Sequence, residues 1–324
     1  MAITPTLAGD TIYQGAAHII FDKTGEAAAW KYIWCDGDVT IRLVRPERDV
    51  NVAGFGRVAG PINDETVEVT FTPSSQINAD ILAFLWGDIL SKMPGASWFG
   101  ATDTVVYVHT MAGRVMAFSN MRPTTFVPIN FGLGVPRFGG AVTLTGVVKR
   151  ATARTADNAL FTPWATLAFS RAPGEDDFPS YPCAVSWASI ADTTIEGMEA
   201  WTLTPQVQLV PVTLPNLGTI DYRVQSVSLE ASATPANLLE TNLWAAAAIG
   251  SSRALGTQNA GGTLTLAEDV GGLTATVLNA VWVNAPTVFN PEKPIAGQCV
   301  WRSRRKSTTG TWGAAGTCVM TPVS

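Results

Sequence analysis

The sequence predicts a mainly β protein made of two tandem β-sandwich or barrel domains, each with one flanking helix. Three observations carry that expectation. The anchors Pro73, Trp86, Gly113, Asn120, Pro136, Gly139 and Val142 recur as Pro235, Trp244, Gly272, Asn279, Pro294, Gly297 and Val300, displaced by 158 to 162 residues. Between the anchors, short runs alternate apolar and polar residues with the period of two that a half-buried strand requires. The length of 324 residues also suits about two domains. A unit this long exceeds the period of a solenoid repeat. The expected division is a first domain with an N-terminal arm over residues 1–150, a linker over 151–185 and a second domain over 186–324.

Each element follows from local chemistry. Val39 to Val44 and Thr66 to Thr72 alternate as strands do. Ser75 to Ser91 reads as the helix of the first half. Thr72-Pro73 and Ser74-Ser75 offer its start, Ile77, Ile81, Leu82, Leu85 and Ile89 share one face, and Pro94-Gly95 stops it. Thr104 to Met111 and Arg114 to Phe118 flank Ala112-Gly113 as a hairpin. Pro128, Pro136 and the glycines Gly132, Gly134, Gly139 and Gly140 mark a loop before the strand Val142 to Lys149. In the second half, Thr234-Pro235 opens a shorter helical run with Leu238, Leu239, Leu243 and Trp244. Thr263 to Leu266 and Thr274 to Leu278 form the matching hairpin around Gly271-Gly272. Residues 151–185, rich in Pro and Thr, have no counterpart and read as the linker.

Composition narrows the class. Charged residues make up 15% of the chain, against about 25% in an ordinary globular protein. With eleven Trp besides, some of this surface is expected to be covered by other subunits. No segment has the run of about 18 apolar residues that spans a bilayer. Met1 to Asp10 lacks the basic start and apolar core of a signal peptide, so manufacture in a cytoplasm is expected. Cys35, Cys183, Cys299 and Cys318 show neither CxxC nor metal spacing. Free, half-buried thiols are expected, with Cys299 and Cys318 facing each other across a terminal hairpin as the alternative.

Enzyme readings fail at the level of parts, and no catalytic residue, cofactor site or metal site is expected. His18 and His109 each sit in an expected strand, away from any acid or cysteine motif, and read as packed or rim residues. Gly95 to Gly100 has the wrong spacing for a nucleophile elbow. Cys35-Asp36-Gly37-Asp38 lacks the further oxygen ligands of a calcium loop. Gly132-x-Gly134 opens no helix and so makes no phosphate cradle. Trp86 and Trp244 read as core anchors. Trp30, Trp34 and Trp98, taken as exposed loop residues, leave open a different function: a β-sandwich that binds carbohydrate or a surface through an aromatic platform.

The run Val67-Glu-Val-Thr-Phe-Thr-Pro73, followed by Ala79-Asp-Ile-Leu82, Gly100-Ala-Thr-Asp103, Val108-His-Thr110 and Gly113, resembles the tail tube proteins of long-tailed bacteriophages. The second copy lacks the Phe-Thr-Pro spacing and the Gly-Ala-Thr-Asp turn, so there the resemblance rests on the displacement alone. In that family, six β domains form a ring whose inner strands join into one barrel lining a lumen, and loops hook ring to ring. Closure across subunits removes exposed strand edges. With two domains per chain, the resemblance implies homotrimeric, pseudo-hexameric rings stacked into a tube. It further implies a virion location, assembly in the host cytoplasm around a tape-measure protein, tail-tip and terminator proteins as partners, and phage DNA passing through without specific binding.

Phe55, Gly56 and Arg57, in the loop that reaches Gly60-Pro61, are the candidate inter-ring hook. Met1 to Gly25 and 151–185 are candidates for crossing to a neighbour. Residues 186–301 carry nine acids against Arg223, Arg253 and Lys293, which suits a wall that repels a duplex or simply a solvated face. Arg302, Arg304, Arg305 and Lys306 are the candidate cationic contact. On a strand, Arg302, Arg304 and Lys306 would share a face, a costly row unless an acid lies opposite. An acidic neighbouring subunit, nucleic acid and plain solvation are the open readings.

Overall fold

The computed structural model describes residues 17–22, 30–44, 50–58, 65–74, 77, 79–86, 89–99, 104–110, 115–131, 137–147, 161–165, 186–190, 193–195, 198–214, 218–235, 262–268, 274–284, 298–303, 307–308, 311–312 and 318–321. Among these the chain is mainly antiparallel β with one short helix. The first half runs β1 (Ala17–Asp22), β2 (Trp30–Ile33), β3 (Thr40–Val44), β4 (Val50–Val52), β5 (Gly56–Val58), β6 (Thr66–Phe71), α1 (Ala79–Leu85), a 3-10 turn (Ile89–Ser91), β7 (Val106–Thr110), β8 (Val115–Phe118), β9 (Met121–Pro123), β10 (Ile129–Phe131), β11 (Arg137–Phe138), β12 (Val142–Gly146) and β13 (Phe161–Ala165). The second runs β14 (Ser186–Ile190), β15 (Thr193–Ile195), β16 (Met198–Leu214), β17 (Gly218–Pro235), β18 (Gly262–Glu268), β19 (Thr274–Asn284), β20 (Cys299–Ser303), β21 (Ser307–Thr308), β22 (Thr311–Trp312) and β23 (Cys318–Thr321).

The strands make three main sheets, ordered β13-β8-β7-β1-β2, β3-β6-β12-β9, and β11-β10-β16-β17-β20-β19-β18-β14-β15, with β23 also paired to β19. The pairings of the two halves run in the same order. β1 pairs β2 and β7, β7 pairs β8, and β8 pairs β13. Likewise β14 pairs β15 and β18, β18 pairs β19, and β19 pairs β23. β6 lies between β3 and β12, and β12 pairs β9; β17 lies between β16 and β20, and β20 pairs β19. Register repeats as well. Thr40 faces Thr70 and Arg42 faces Glu68, while Thr202 faces Ser232 and Thr204 faces Glu230, so that every partner is displaced by 162 residues.

One difference between the halves has a visible cause. β19 runs unbroken from its partner β18 to its partner β20, whereas β8 and β9 are interrupted at Asn120. Asn120 adopts φ 54° and its Nδ2 donates to Val147 O at 2.9 Å. Asparagine tolerates this left-handed conformation better than most residues. The kink sends β8 to one sheet and β9 to another.

The alternation in β6 buries Val67, Val69 and Phe71 against Val142 and Leu144 of β12. α1 is shorter than the 75–91 span expected, but its expected face is the buried one. Ile77, Ile81, Leu82, Leu85 and Ile89 all lie in the core. Phe84 stacks on Phe21 with ring centroids 4.2 Å apart, and Lys31 bridges to Asp80 at 2.9 Å, tying β1 and β2 to the helix. Trp86 is a core anchor, its Nε1 donating to Val127 O at 3.2 Å. In the second half Trp301 lies between Trp201 and Trp282, tilted against each with ring centroids 5.1 Å apart, beside Leu203, Leu229 and Leu264. The counterpart helix with Trp244 lies outside the described residues.

The linker expectation needs correction at one point. Residues 161–165 form β13, paired to β8. Pro163 disguised it. Proline lacks the donor a central strand needs, but β13 is an edge strand whose register shifts between Thr162 and Ala165, where proline is tolerated.

Candidate assembly surfaces

β3 ends its sheet, and its outer edge has no partner strand among the described residues. Its ladder to β6 is regular over all five residues. Ile41 and Leu43 share the inward face with Val69 and Val67, yet they remain 38% and 37% exposed. Arg42, on the opposite face, reaches Glu68 at 3.6 Å. At the same register in the second half the outer edge of β16 is occupied. β10 pairs with it through Ile129 to Leu203, Asn130 to Thr202 and Phe131 to Trp201. Leu203, the counterpart of Ile41, is therefore fully buried, together with Ile129 and Phe131. Beyond Leu203, β16 continues to Leu214 without a partner on that side among the described residues, exposing Val210.

A second contact holds the halves together. The segment after α1, Met93 to Phe99, lies along β17. Gly95 N donates to Val224 O at 2.7 Å, Val224 N to Ala96 O at 3.0 Å, and Trp98 N to Tyr222 O at 2.8 Å. Buried Asp221 accepts from Phe99 N at 3.0 Å and from Tyr222 N at 2.8 Å, and Arg223 donates to Gly95 O at 3.0 Å. The run Gly95 to Phe99 thus serves as a clasp. Trp98 is buried, donates from Nε1 to Pro123 O at 2.7 Å, and carries the Arg122 guanidinium 4.9 Å over its ring. This overturns its place in an exposed aromatic platform. Trp34 is half-buried 4.8 Å from His18, and Trp30 begins β2, not a loop.

Of the expected contact residues, Phe55 is the most prominent. β4 and β5 form a hairpin in which Val52 faces Gly56. Gly54 and Gly56 hold φ of 86° and 74°, open to glycine at no steric cost. The tip leaves Phe55 83% exposed, with Gly56 beside it and Arg57 next along β5. Arg302 is exposed on β20, and its acid is in the same chain. It faces Glu230 in register, and its Nε donates to Oε1 at 2.6 Å. Arg304, Arg305 and Lys306 lie outside the described residues, as do the 1–16 arm and most of 151–185.

Sequence reasoning treated the two histidines separately, but the fold makes them neighbours. β1 and β7 place His18 opposite His109, with Nε2 and Nδ1 3.2 Å apart. His18 is buried with Tyr32 and Trp34 around it, and its Nδ1 has no hydrogen-bond partner. Burial, and then the neighbouring His109, push the His18 pKa down to about 4; burial lowers His109 also. Cys35 and Cys299 are free thiols, raised by burial to about 12 and about 11, so Cys299 is not bridged to Cys318. Among the described residues no group of three or more metal-ligating side chains occurs, and no helix is long and apolar enough to cross a membrane. The sequence matches no protein-family model and no curated protein.

Proposed function

We propose that this chain is a structural, non-catalytic tail tube subunit of a long-tailed bacteriophage. It consists of two copies of one β domain, and three chains make a pseudo-hexameric ring that stacks into a tube. The observation that carries this reading is the repeated ladder. The trio β3-β6-β12 recurs as β16-β17-β20, with the β3–β6 register reproduced at a displacement of 162 residues. A second observation supports it. β10 leaves the first half to pair with the edge of the second, which is how a sheet would continue from domain to domain around a ring.

The exposed Phe55 hairpin is suited to hook one ring to the next, since an aromatic knob gains from burial in a partner. The lumen would form around a tape-measure protein and later conduct DNA, with tail-tip and terminator proteins at the ends of the tube. Assembly would take place in the host cytoplasm and the product would reside in the virion. Arg42, Arg223 and Arg302 all lie beside acids of their own chain, which would moderate drag on phosphates.

Negative-stain electron microscopy across a concentration series, with mass photometry, tests the reading. Hollow tubes, or rings of three chains, are expected. Closed oligomers of another number without a lumen, or a strict monomer that remains monomeric when a preformed tail tip is supplied, would overturn it.

A further inference from the structure

The open edge of β3 and the filled edge of β16 are the same position in two settings. Thr40 to Val44 and Thr202 to Gln206 occupy equivalent registers against β6 and β17. One edge carries β10, and Leu203 beneath it is sealed. The other carries nothing among the described residues, and Ile41 and Leu43 stand more than a third exposed. Most other sheet ends in the described residues are blunted in ways that discourage pairing. β13 has Pro163 and a register shift, β11 has two residues, and β15 and β9 have three each. β3 has no proline, no bulge and five regular residues, and its one charge is turned toward Glu68 on the adjacent strand.

We infer that the β3 edge, Thr40–Val44, is the docking strip for a second copy of this chain, which adds a strand from its own second half. This rests on the duplicated-domain reading and specifies where one chain ends and the next begins. Inside one chain, the first half already lends β10 to the second half. A chain whose second half did the same for the next chain would cover Ile41 as β10 covers Leu203. The contact is heterologous, because β3 and the incoming strand belong to different surfaces. Each copy gives one strand and takes one, so the contact propagates head to tail and closes when the rotation allows. Main-chain hydrogen bonds would supply affinity, and the inward-facing Ile41 and Leu43 would supply register.

The test uses the full-length chain with Ile41 replaced by photoreactive p-benzoylphenylalanine, mixed as light and nitrogen-15 copies. Mass spectrometry of irradiated material then separates cross-links within a chain from those between chains. Expected are inter-chain links from position 41 to residues beyond 186 of the other copy. Assembled rings or tubes in which position 41 links only within its chain, or only to the first half of another copy, overturn this inference and leave the tube reading intact. Failure of the substituted and the unsubstituted chain alike to assemble, with a preformed tail tip supplied, overturns both. A Leu43→Lys variant gives an independent readout. Loss of the assembled sedimentation peak with an unchanged circular dichroism spectrum is expected, and full assembly of that variant counts against the docking strip.

Discussion

Leu203→Ala and Ile41→Ala remove comparable side chains from equivalent registers, so their comparison isolates the effect of the covering strand. Leu203 is fully buried among Ile129, Phe131 and the second-half core. Its truncation loses transfer energy and leaves a cavity, together about 2–5 kcal/mol. Ile41 keeps 38% of its surface exposed, and its neighbours can relax toward solvent. Truncation there should destabilise the isolated chain by no more than about 1–2 kcal/mol. If a second copy covers that remainder, roughly 70 Å² of apolar surface per contact leaves water, worth about 1.5 kcal/mol. Such a loss weakens association about tenfold at each junction. The assay is urea denaturation of the monomer at low concentration beside sedimentation velocity at high concentration. Leu203→Ala should lower the unfolding midpoint strongly, while Ile41→Ala should mainly raise the concentration needed for assembly. Equal monomer destabilisation by both, with assembly of Ile41→Ala unaffected, would refute the reasoning.

Three further outcomes follow from the side-chain environments. Phe55→Ser should leave thermal stability within about 0.5 kcal/mol, because the ring is already in water, while shortening or abolishing stacked assemblies in electron micrographs; normal tubes would remove Phe55 from the hook. Asp221→Ala strips the acceptor from Phe99 N and Tyr222 N and should cost about 2–3 kcal/mol in denaturant, with Asp221→Asn costing less because its oxygen still accepts; equal effects would argue against the hydrogen bonds. The His18 pKa of about 4 lies below the unfolded value of 6.5, so the unfolded chain takes up a proton first as the pH falls. Stability is therefore full above pH 6.5 and lost toward pH 4, by about 2 kcal/mol at pH 5. A melting temperature flat from pH 7 to pH 5, or one falling equally in His18→Gln, would count against that linkage.

Much of the strand inventory was legible because it depends on neighbours in sequence. Period-two alternation marked β3 and β6, a glycine turn marked the β7–β8 hairpin, and a helical stripe marked α1 with the correct buried face. What escaped were partnerships at long range. Pro163 argued for linker locally, although an edge position accommodates it. Trp98 looked exposed as a loop residue, and only tertiary packing against Pro123, Arg122 and Phe126 buries it. His18 and His109 stand 91 residues apart, and nothing in either local pattern announces that one ladder sets them side by side. Likewise the arginine row expected at Arg302 could not show that Glu230 lies opposite in register.

By itself, then, the sequence determined the mainly β class, the core-facing residues of its clearest strands and helix, and the spacing of the recurring anchors. These depend on side-chain periodicity and turn chemistry, which act over a few residues. Tertiary structure alone decided that the ladder at β3 and β6 repeats in register at β16 and β17, that β10 covers one edge, and that the equivalent edge has no partner strand among the described residues. An edge is open or closed according to which distant strand lies beside it. That choice depends on how the chain closes its long loops, and no short stretch of residues encodes it.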